Sequence, residues 1–197
     1  MIWFTSDWHL DHVNIMKYCN RPFEKIEDMN QTIFSNFFDI IHRGDTVYFL
    51  GDLSFGQRHL SYFFLMLRDR GITVHFIIGN HDKDLIKFTK EKNFFATFST
   101  TIQHLIFLLN IEIENQSVTL CHYPMLTFNK SHYGAWQLYG HHHNNTYYKN
   151  IPPEIMGKKM NIGVDVNNFK PVSWNQVKAY MIKQPNNFDL LKPEERH

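Results

Sequence analysis

A mixed α/β sandwich is the fold class that the sequence predicts, and three observations predict it. From Ile2 to Ile78 extended apolar runs alternate with amphipathic helical patterns, the region from Ile102 to Leu120 reads as β-rich, and no repeat, low-complexity tract or interdomain linker interrupts the order. At 197 residues the chain is long enough for one domain that buries roughly 70% of its unfolded surface. We therefore expect one domain over 1–183 and a polar tail over 184–197.

The first strand is Ile2-Trp3-Phe4-Thr5-Ser6, an apolar and β-branched run that stops at Asp7. Between Glu24 and Ile41 the residues Ile26, Met29, Ile33, Phe37 and Ile40 keep helical spacing, with Glu24, Glu27 and Asp28 at the end where the helix dipole favours acids. Thr46–Leu50 is the second strand. Gln57–Arg70 is a helix with Leu60, Phe63, Phe64 and Leu67 inward and Gly71 as its stop. Val74–Ile78 is the third strand, followed by a helix over Asp84–Glu91. A turn near Asn115-Gln116 leads into the strand Ser117–Leu120, and Ala135–Tyr139 is a further strand. Beyond a loop holding Pro152 and Pro153 come the strand Met160–Val164 and a helix capped by Ser173, with Val177, Tyr180 and Met181 inward.

Composition excludes several classes of protein. Hydrophobic residues make up 43% and charged residues 20%, and no apolar run nears the ~18 residues of a membrane span, so a disordered chain and an integral membrane helix are both ruled out. Twenty basic residues against 19 acidic ones leave +1, so no overall field draws the chain to nucleic acid or an anionic membrane. Two cysteines, Cys19 and Cys121, are too few for a disulfide framework or a four-thiolate metal site, and Met1 is followed by Ile2-Trp3-Phe4 rather than a basic leader. We expect buried thiols and a reduced, cytoplasmic protein. The unusual number is 13 histidines.

Three times an apolar strand runs into a glycine and then a metal-capable side chain: Leu50-Gly51-Asp52, Ile78-Gly79-Asn80 and Tyr139-Gly140-His141. Glycine permits a sharp turn, and ligands of open α/β sheets bind beyond the carboxyl ends of the strands. Asp7 and His122 also stand at such ends. Alternation along an extended chain puts Asp7 with His9, and His141 with His143, on one side, and turns His142 away. The candidate ligands are Asp7, His9, Asp52, Asn80, His122, His141 and His143, more than one ion takes. If Asp52 bridges, one metal receives Asp7, His9, Asp52 and His143, and the other receives Asp52, Asn80, His122 and His141. Both keep open positions, as catalytic sites do. Two dications with two carboxylates leave about +2, which suits an anionic phosphate. Nitrogen and oxygen donors without thiolate favour Mn, Fe, Zn, Co or Ni over Ca or Mg, with Mn first. One such residue taken alone is more often an ordinary buried polar group; seven at strand ends reverse that reading.

Asp7-Trp8-His9, Gly51-Asp52, Gly79-Asn80-His81-Asp82, Cys121-His122-Tyr123-Pro124 and Gly140-His141-His142-His143 resemble the ordered motifs of the calcineurin-like metallophosphoesterases. Asp11–Ile15, Cys19–Phe23 and Gly163–Asn167 are similar to signature stretches of a compact bacterial and phage branch. The resemblance runs to about residue 181. It implies a four-layer αββα sandwich, the two-metal assignment above and His81 as a catalytic residue.

On that reading the nucleophile is a metal-bound hydroxide, since two metals clamp the attacking and leaving oxygens of an in-line displacement. His81 protonates the leaving oxygen or offsets charge, Asp82 orients it, and His12 and Arg21 reach the substrate phosphate. The loop Tyr123–Gly134, with Phe128, Lys130, His132 and Tyr133, is a further candidate for stacking a base or holding a second phosphate. The expected substrate is a small phosphoester or phosphodiester, such as a nucleotide or cyclic nucleotide, with diesters favoured over monoesters. Two alternatives stay open: a nuclease acting on single-stranded or terminal nucleic acid, and a noncatalytic interaction scaffold. Oligomeric state is left open.

Overall fold

The computed structural model describes residues 1–145 and 157–186. Two sheets lie face to face. The first has the order β4-β3-β2-β1-β9, built from β1 (Ile2–Thr5), β2 (Thr46–Phe49), β3 (Thr73–Ile77), β4 (Ile102–Ile106) and β9 (Val172–Ser173). The second has the order β5-β6-β7-β8, from β5 (Leu108–Ile113), β6 (Gln116–Cys121), β7 (Trp136–Tyr139) and β8 (Lys159–Asn161). Strands β1 to β4 are parallel, as their helical crossovers require, and β9 runs antiparallel to β1. In the second sheet β6, β7 and β8 are parallel and β5 pairs antiparallel with β6.

One core lies between the first sheet and α2 (Ile26–Phe38), α3 (Leu60–Arg70), α4 (Lys83–Thr89) and α5 (Phe94–Phe98). At its centre Trp8 is ringed by Phe34, Phe37, Phe49 and Phe63 at centroid distances of 5.0–5.9 Å, and its indole N–H donates to Thr5 Oγ1 at 2.8 Å. The second core fills the space between the sheets with Phe4, Tyr48, Leu50 and Ile77 from one and Val118, Leu120, Trp136 and Leu138 from the other. The final helix α6 (Trp174–Met181) closes it through Trp174, Val177 and Met181. This is the expected mixed α/β sandwich of two sheets flanked by helices. The outer face of the second sheet is covered by the Tyr123–Gly134 loop: Gln137 bonds to Met125 and Tyr123, and the ammonium of Lys159 reaches the carbonyl of Leu126 and lies over Phe128.

Element limits differ from expectation for local reasons. The helix expected over 24–41 is Ile26–Phe38, because the chain turns after Asp39 toward Gly44. The helix expected from Gln57 starts at Leu60 and ends as expected at Gly71, which takes φ 64°. The helix expected over Asp84–Glu91 is Lys83–Thr89. Glu114 and Asn115 both adopt positive φ, the requirement of a tight type I′ hairpin, so Gln116 belongs to β6. The strand expected over 160–164 stops at Asn161, where Gly163 leaves the ladder to bridge Ser6 of the other sheet. Ser173 caps α6 in a full capping box with Gln176, but Tyr180 turns outward. Among the described residues the short elements α1 (Val13–Tyr18), α5 and β9 escape the sequence, as do the 3-10 turns Ser131–Tyr133 and Val164–Val166. The loop at Pro152-Pro153 and the tail beyond residue 186 lie outside the described residues.

Candidate metal centre

The carboxyl ends of β1, β2, β3, β6 and β7 converge at one edge of the sandwich and carry all seven candidate ligands there. Trp8, buried in the aromatic core, fixes the turn whose flanking residues are Asp7 and His9. That turn is zipped to the next one by backbone bonds of 3.0 Å, from Asp7 N–H to the Gly51 carbonyl and from His9 N–H to the Asp52 carbonyl. The alternation that predicted which side chains converge is not the local geometry. Asp7, His9, Asp52, His141 and His143 all take left-handed backbone (φ 47–69°), a region that Asp and His tolerate better than most residues. The glycines also differ in role. Of the three strand-end glycines only Gly51 takes positive φ; at Gly79 and Gly140 what matters is space, since a Cβ would lie 2.9 Å from the Asp52 backbone nitrogen at the first and 2.9 Å from Ser6 Cβ at the second.

One oxygen stands at the middle. Asp52 Oδ2 is 3.4 Å from His9 Nε2 and 3.4 Å from His122 Nε2, while Asp52 Oδ1 accepts the His81 backbone N–H at 2.8 Å. Donor atoms of Asp7, His9 and His143 lie within 4.8 Å of one another, as do those of Asp7, Asp52 and His122. Asp7 thus faces both groups, not the first alone. Asn80 Oδ1 is 3.0 Å from His122 Nε2 and 3.0 Å from His141 Nδ1, with the Tyr123 hydroxyl donating to it at 3.4 Å. His142 turns its ring toward Tyr139.

These groups could hold a metal, and two observations fit them to one. Both ring nitrogens of His9 are buried without a hydrogen-bond partner, an arrangement costly for an imidazole unless a cation takes its lone pair. His122 donates from Nδ1 to the Leu50 carbonyl at 2.7 Å, which points its Nε2 lone pair at the oxygens of Asn80 and Asp52. Acceptors facing acceptors call for a positive charge between them. Without one, the protons redistribute. Burial raises the Asp7 carboxyl and drives His9 well below the usual histidine range. Burial also pushes Asp52 up, but His122 and His9 outweigh it and bring it to about 2. His122 rises to about 9: burial opposes this, and the carboxylates of Asp52 and Asp7 overcome it.

His81 and His12 line a cleft of about 830 Å³ over these residues, together with His9, Tyr18 and His141–His143. His12 stacks on Phe55 at 3.9 Å, and the His81 ring lies 5.0 Å from Phe55. Neither Phe55 nor Tyr18 was singled out by sequence, where aromatic residues read as core.

Two expectations need correction. Arg21 does not offer its fork to a substrate, because the side chain is buried and all its donors are engaged. Nε and Nη2 hold Asp165 at 2.7 and 2.8 Å, Nη2 also reaches the Asp7 carbonyl at 2.7 Å, and Nη1 reaches the Trp8 carbonyl at 2.8 Å and Met29 Sδ at 3.3 Å. Asp82 is fully buried and accepts the backbone N–H groups of Asp52, Leu53 and Gly79 at 2.7–3.0 Å, so it ties two ligand turns together instead of orienting the His81 ring. In the Tyr123–Gly134 loop, Phe128 packs inside and is not free to stack a base. Sequence reasoning gave Asp165 no role, although the Gly163–Asn167 stretch contains it; it lies past the end of β8 and accepts from His143 Nδ1 at 2.8 Å.

Comparison with known proteins bears on the fold and the family. The chain is 35% identical over 174 residues to the uncharacterized protein MJ1445 of Methanocaldococcus jannaschii, covering 87% of this chain and 86% of that one. It is 33% identical over 81 residues to the Gene 66 protein of Mycobacterium phage L5, covering 41% and 39% of the two chains. Among solved structures, AQ665 of Aquifex aeolicus, a protein of unknown function, shares the fold with a TM-score of 0.66 at 21% identity, over 91% of this chain and 98% of that one. The nuclease MPE of Pseudomonas putida aligns with a TM-score of only 0.37, too slight a likeness for its activity to bear on this chain. The family profile for calcineurin-like phosphoesterases matches residues 1–166, which hold every candidate ligand and Asp165, and the chain belongs to that family.

Proposed function

We propose that the protein is a binuclear metal-dependent hydrolase of small phosphoesters or phosphodiesters, with nucleotides or cyclic nucleotides as the leading substrates. The reading is supported by Asp52 Oδ2, which lies 3.4 Å from the Nε2 atoms of both His9 and His122, a carboxylate oxygen that two ions could share. Asp7, His9 and His143 would hold one ion with Asp52, and Asn80, His122 and His141 the other. Two divalent ions, manganese first, would supply Lewis acidity and an activated water. The residues do the rest. Imidazole and amide donors fix the electrostatics, and the His81 ring, free of metal duty, gives a proton to the leaving oxygen. His12 contacts the phosphate from the cleft wall. The cleft of about 830 Å³ accepts a nucleotide-sized molecule, which supports a small substrate. The diester preference follows from the poor leaving group that His81 would serve. Two free buried cysteines, Cys19 and Cys121, fit a reducing cytoplasm; among the described residues no helix is long and apolar enough to cross a membrane.

The test is metal analysis of the purified protein paired with hydrolysis of bis-p-nitrophenyl phosphate against p-nitrophenyl phosphate under added Mn. Two ions per chain and faster diester turnover are the expected result; a protein that takes up no divalent ion ends the reading. The nuclease reading draws on the exposed Tyr18 beside the His12–Phe55 stack, a surface that a base can cover. Digestion of labelled single-stranded oligonucleotides separates it from the first. Two bound ions without turnover on a broad phosphoester panel would instead favour the scaffold.

A further inference from the structure

We propose that Asp165, clamped by Arg21, is a positioning residue that sets the metal affinity of one half of the centre, the half formed by Asp7, His9 and His143. The inference rests on the reading of those three residues as ligands. His143 donates from Nδ1 to Asp165 Oδ2 at 2.8 Å, which commits its Nε2 lone pair to the metal side. The carboxylate cannot turn away, because the Arg21 fork grips both its oxygens at 2.7 and 2.8 Å. The remaining donors of the same guanidinium hold the Asp7 and Trp8 carbonyls at 2.7 and 2.8 Å, the backbone on which Asp7 and His9 are mounted. One cation therefore fixes the turn carrying two ligands and, through Asp165, the ring of the third.

The other half is fastened by different means. His122 is oriented by the Leu50 carbonyl, and Asp52 by the His81 backbone N–H. The Arg21 bonds reach the Asp165 carboxylate, Met29 Sδ and the carbonyls of Asp7 and Trp8; Asp7 alone of these also touches the other half, its carboxylate accepting the His141 backbone N–H at 3.0 and 3.1 Å, and none of them bonds to the side chains of His122, Asn80 or His141. Loss of the clamp should therefore be felt unequally by the two ions. An ion pair that served folding alone would lower thermal stability and leave metal stoichiometry intact.

The experiment is Mn(II) titration of metal-stripped protein by calorimetry, followed by electron paramagnetic resonance at one and two equivalents, for wild type, Asp165→Asn and Arg21→Lys. Wild type should bind two ions and show a spin-coupled pair. Asp165→Asn should keep one site at wild-type affinity and weaken the other ~10- to 100-fold, leaving an uncoupled Mn(II) signal. Arg21→Lys keeps the charge without the fork and should shift the same site less; it carries the test should Asp165→Asn fail to fold. Wild-type affinity at both sites of a folded variant, or equal weakening of both, overturns the inference while sparing the proposed function. A wild type that binds no Mn(II) overturns both.

Discussion

His81 gives its backbone N–H to Asp52 and leaves its ring over the cleft, so its two polar ends can be separated by substitution. His81→Ala should cut turnover by ~10²- to 10⁴-fold, the span of a general acid, while metal analysis still finds two ions per chain. Unchanged turnover would remove His81 from the reaction. Far from the centre, His75 stacks on Tyr48 at 4.5 Å and sets its Nδ1 2.6 Å from Nδ1 of His104. Burial, then the neighbouring His104, lowers His75 from 6.5 to about 4. Below pH 6.5 the unfolded chain takes up a proton that the folded His75 refuses until about pH 4, so stability is lost as the pH drops across that window. His75→Asn should flatten this part of the pH dependence of Tm relative to wild type. At this scale residue types were legible and their engagements were not. Asp7, His9 and His122 announce themselves by chemistry and position. Arg21 and Asp82 look like free donors and acceptors until the fold shows what consumes them.

Among elements, the turn after β1 owes its shape to a residue that never touches the centre. Trp8→Ala empties the middle of the aromatic core, and large-to-small changes of this kind cost about 3–5 kcal/mol. Chemical denaturation should show that loss, together with weaker metal binding, since Asp7 and His9 lose their anchor. A stability change below ~1 kcal/mol would mean the aromatic ring around it closes the gap. The long elements could be read from sequence because an apolar stripe repeats several times along α2 and α3. Strand β9, two residues long, and α1 and α5, six and five, are too short to show a period. They exist because tertiary packing holds them: Phe94 and Phe98 of α5 pack around Phe64. The left-handed turns at Asp7 and His141 were likewise hidden, since nothing in the composition of those turns separates them from extended chain.

For the molecule as a whole, the centre lies on the seam between two sheets, whose direct backbone link there runs between Ser6 and Gly163, with Val164 N–H bonding to the Ser6 carbonyl at 3.1 Å. An ion bound by ligands from both sheets binds the folded chain and not the unfolded one. Stripping with chelator should lower Tm, and Mn at 100 times its dissociation constant should restore about 2.7 kcal/mol per site. Scanning calorimetry at rising Mn tests this, and a melting point indifferent to metal would separate the ligands from the stability of the seam. The fold class was legible because strand and helix patterns alternate early and strands cluster later. The covering of the second sheet by a loop was not, since Gln137 and Lys159 look like surface residues until their partners in that loop are seen.

The Ser6–Gly163 bridge and the Arg21–Asp165 pair join segments of chain more than a hundred residues apart. A nascent polypeptide still on the ribosome, with residues 1–143 already emerged, would carry each candidate ligand and yet lack the fastening that holds His143. Tight capture of an ion by the half that His143 completes would thus be a late event in the life of the chain, its timing set by emergence of Asp165.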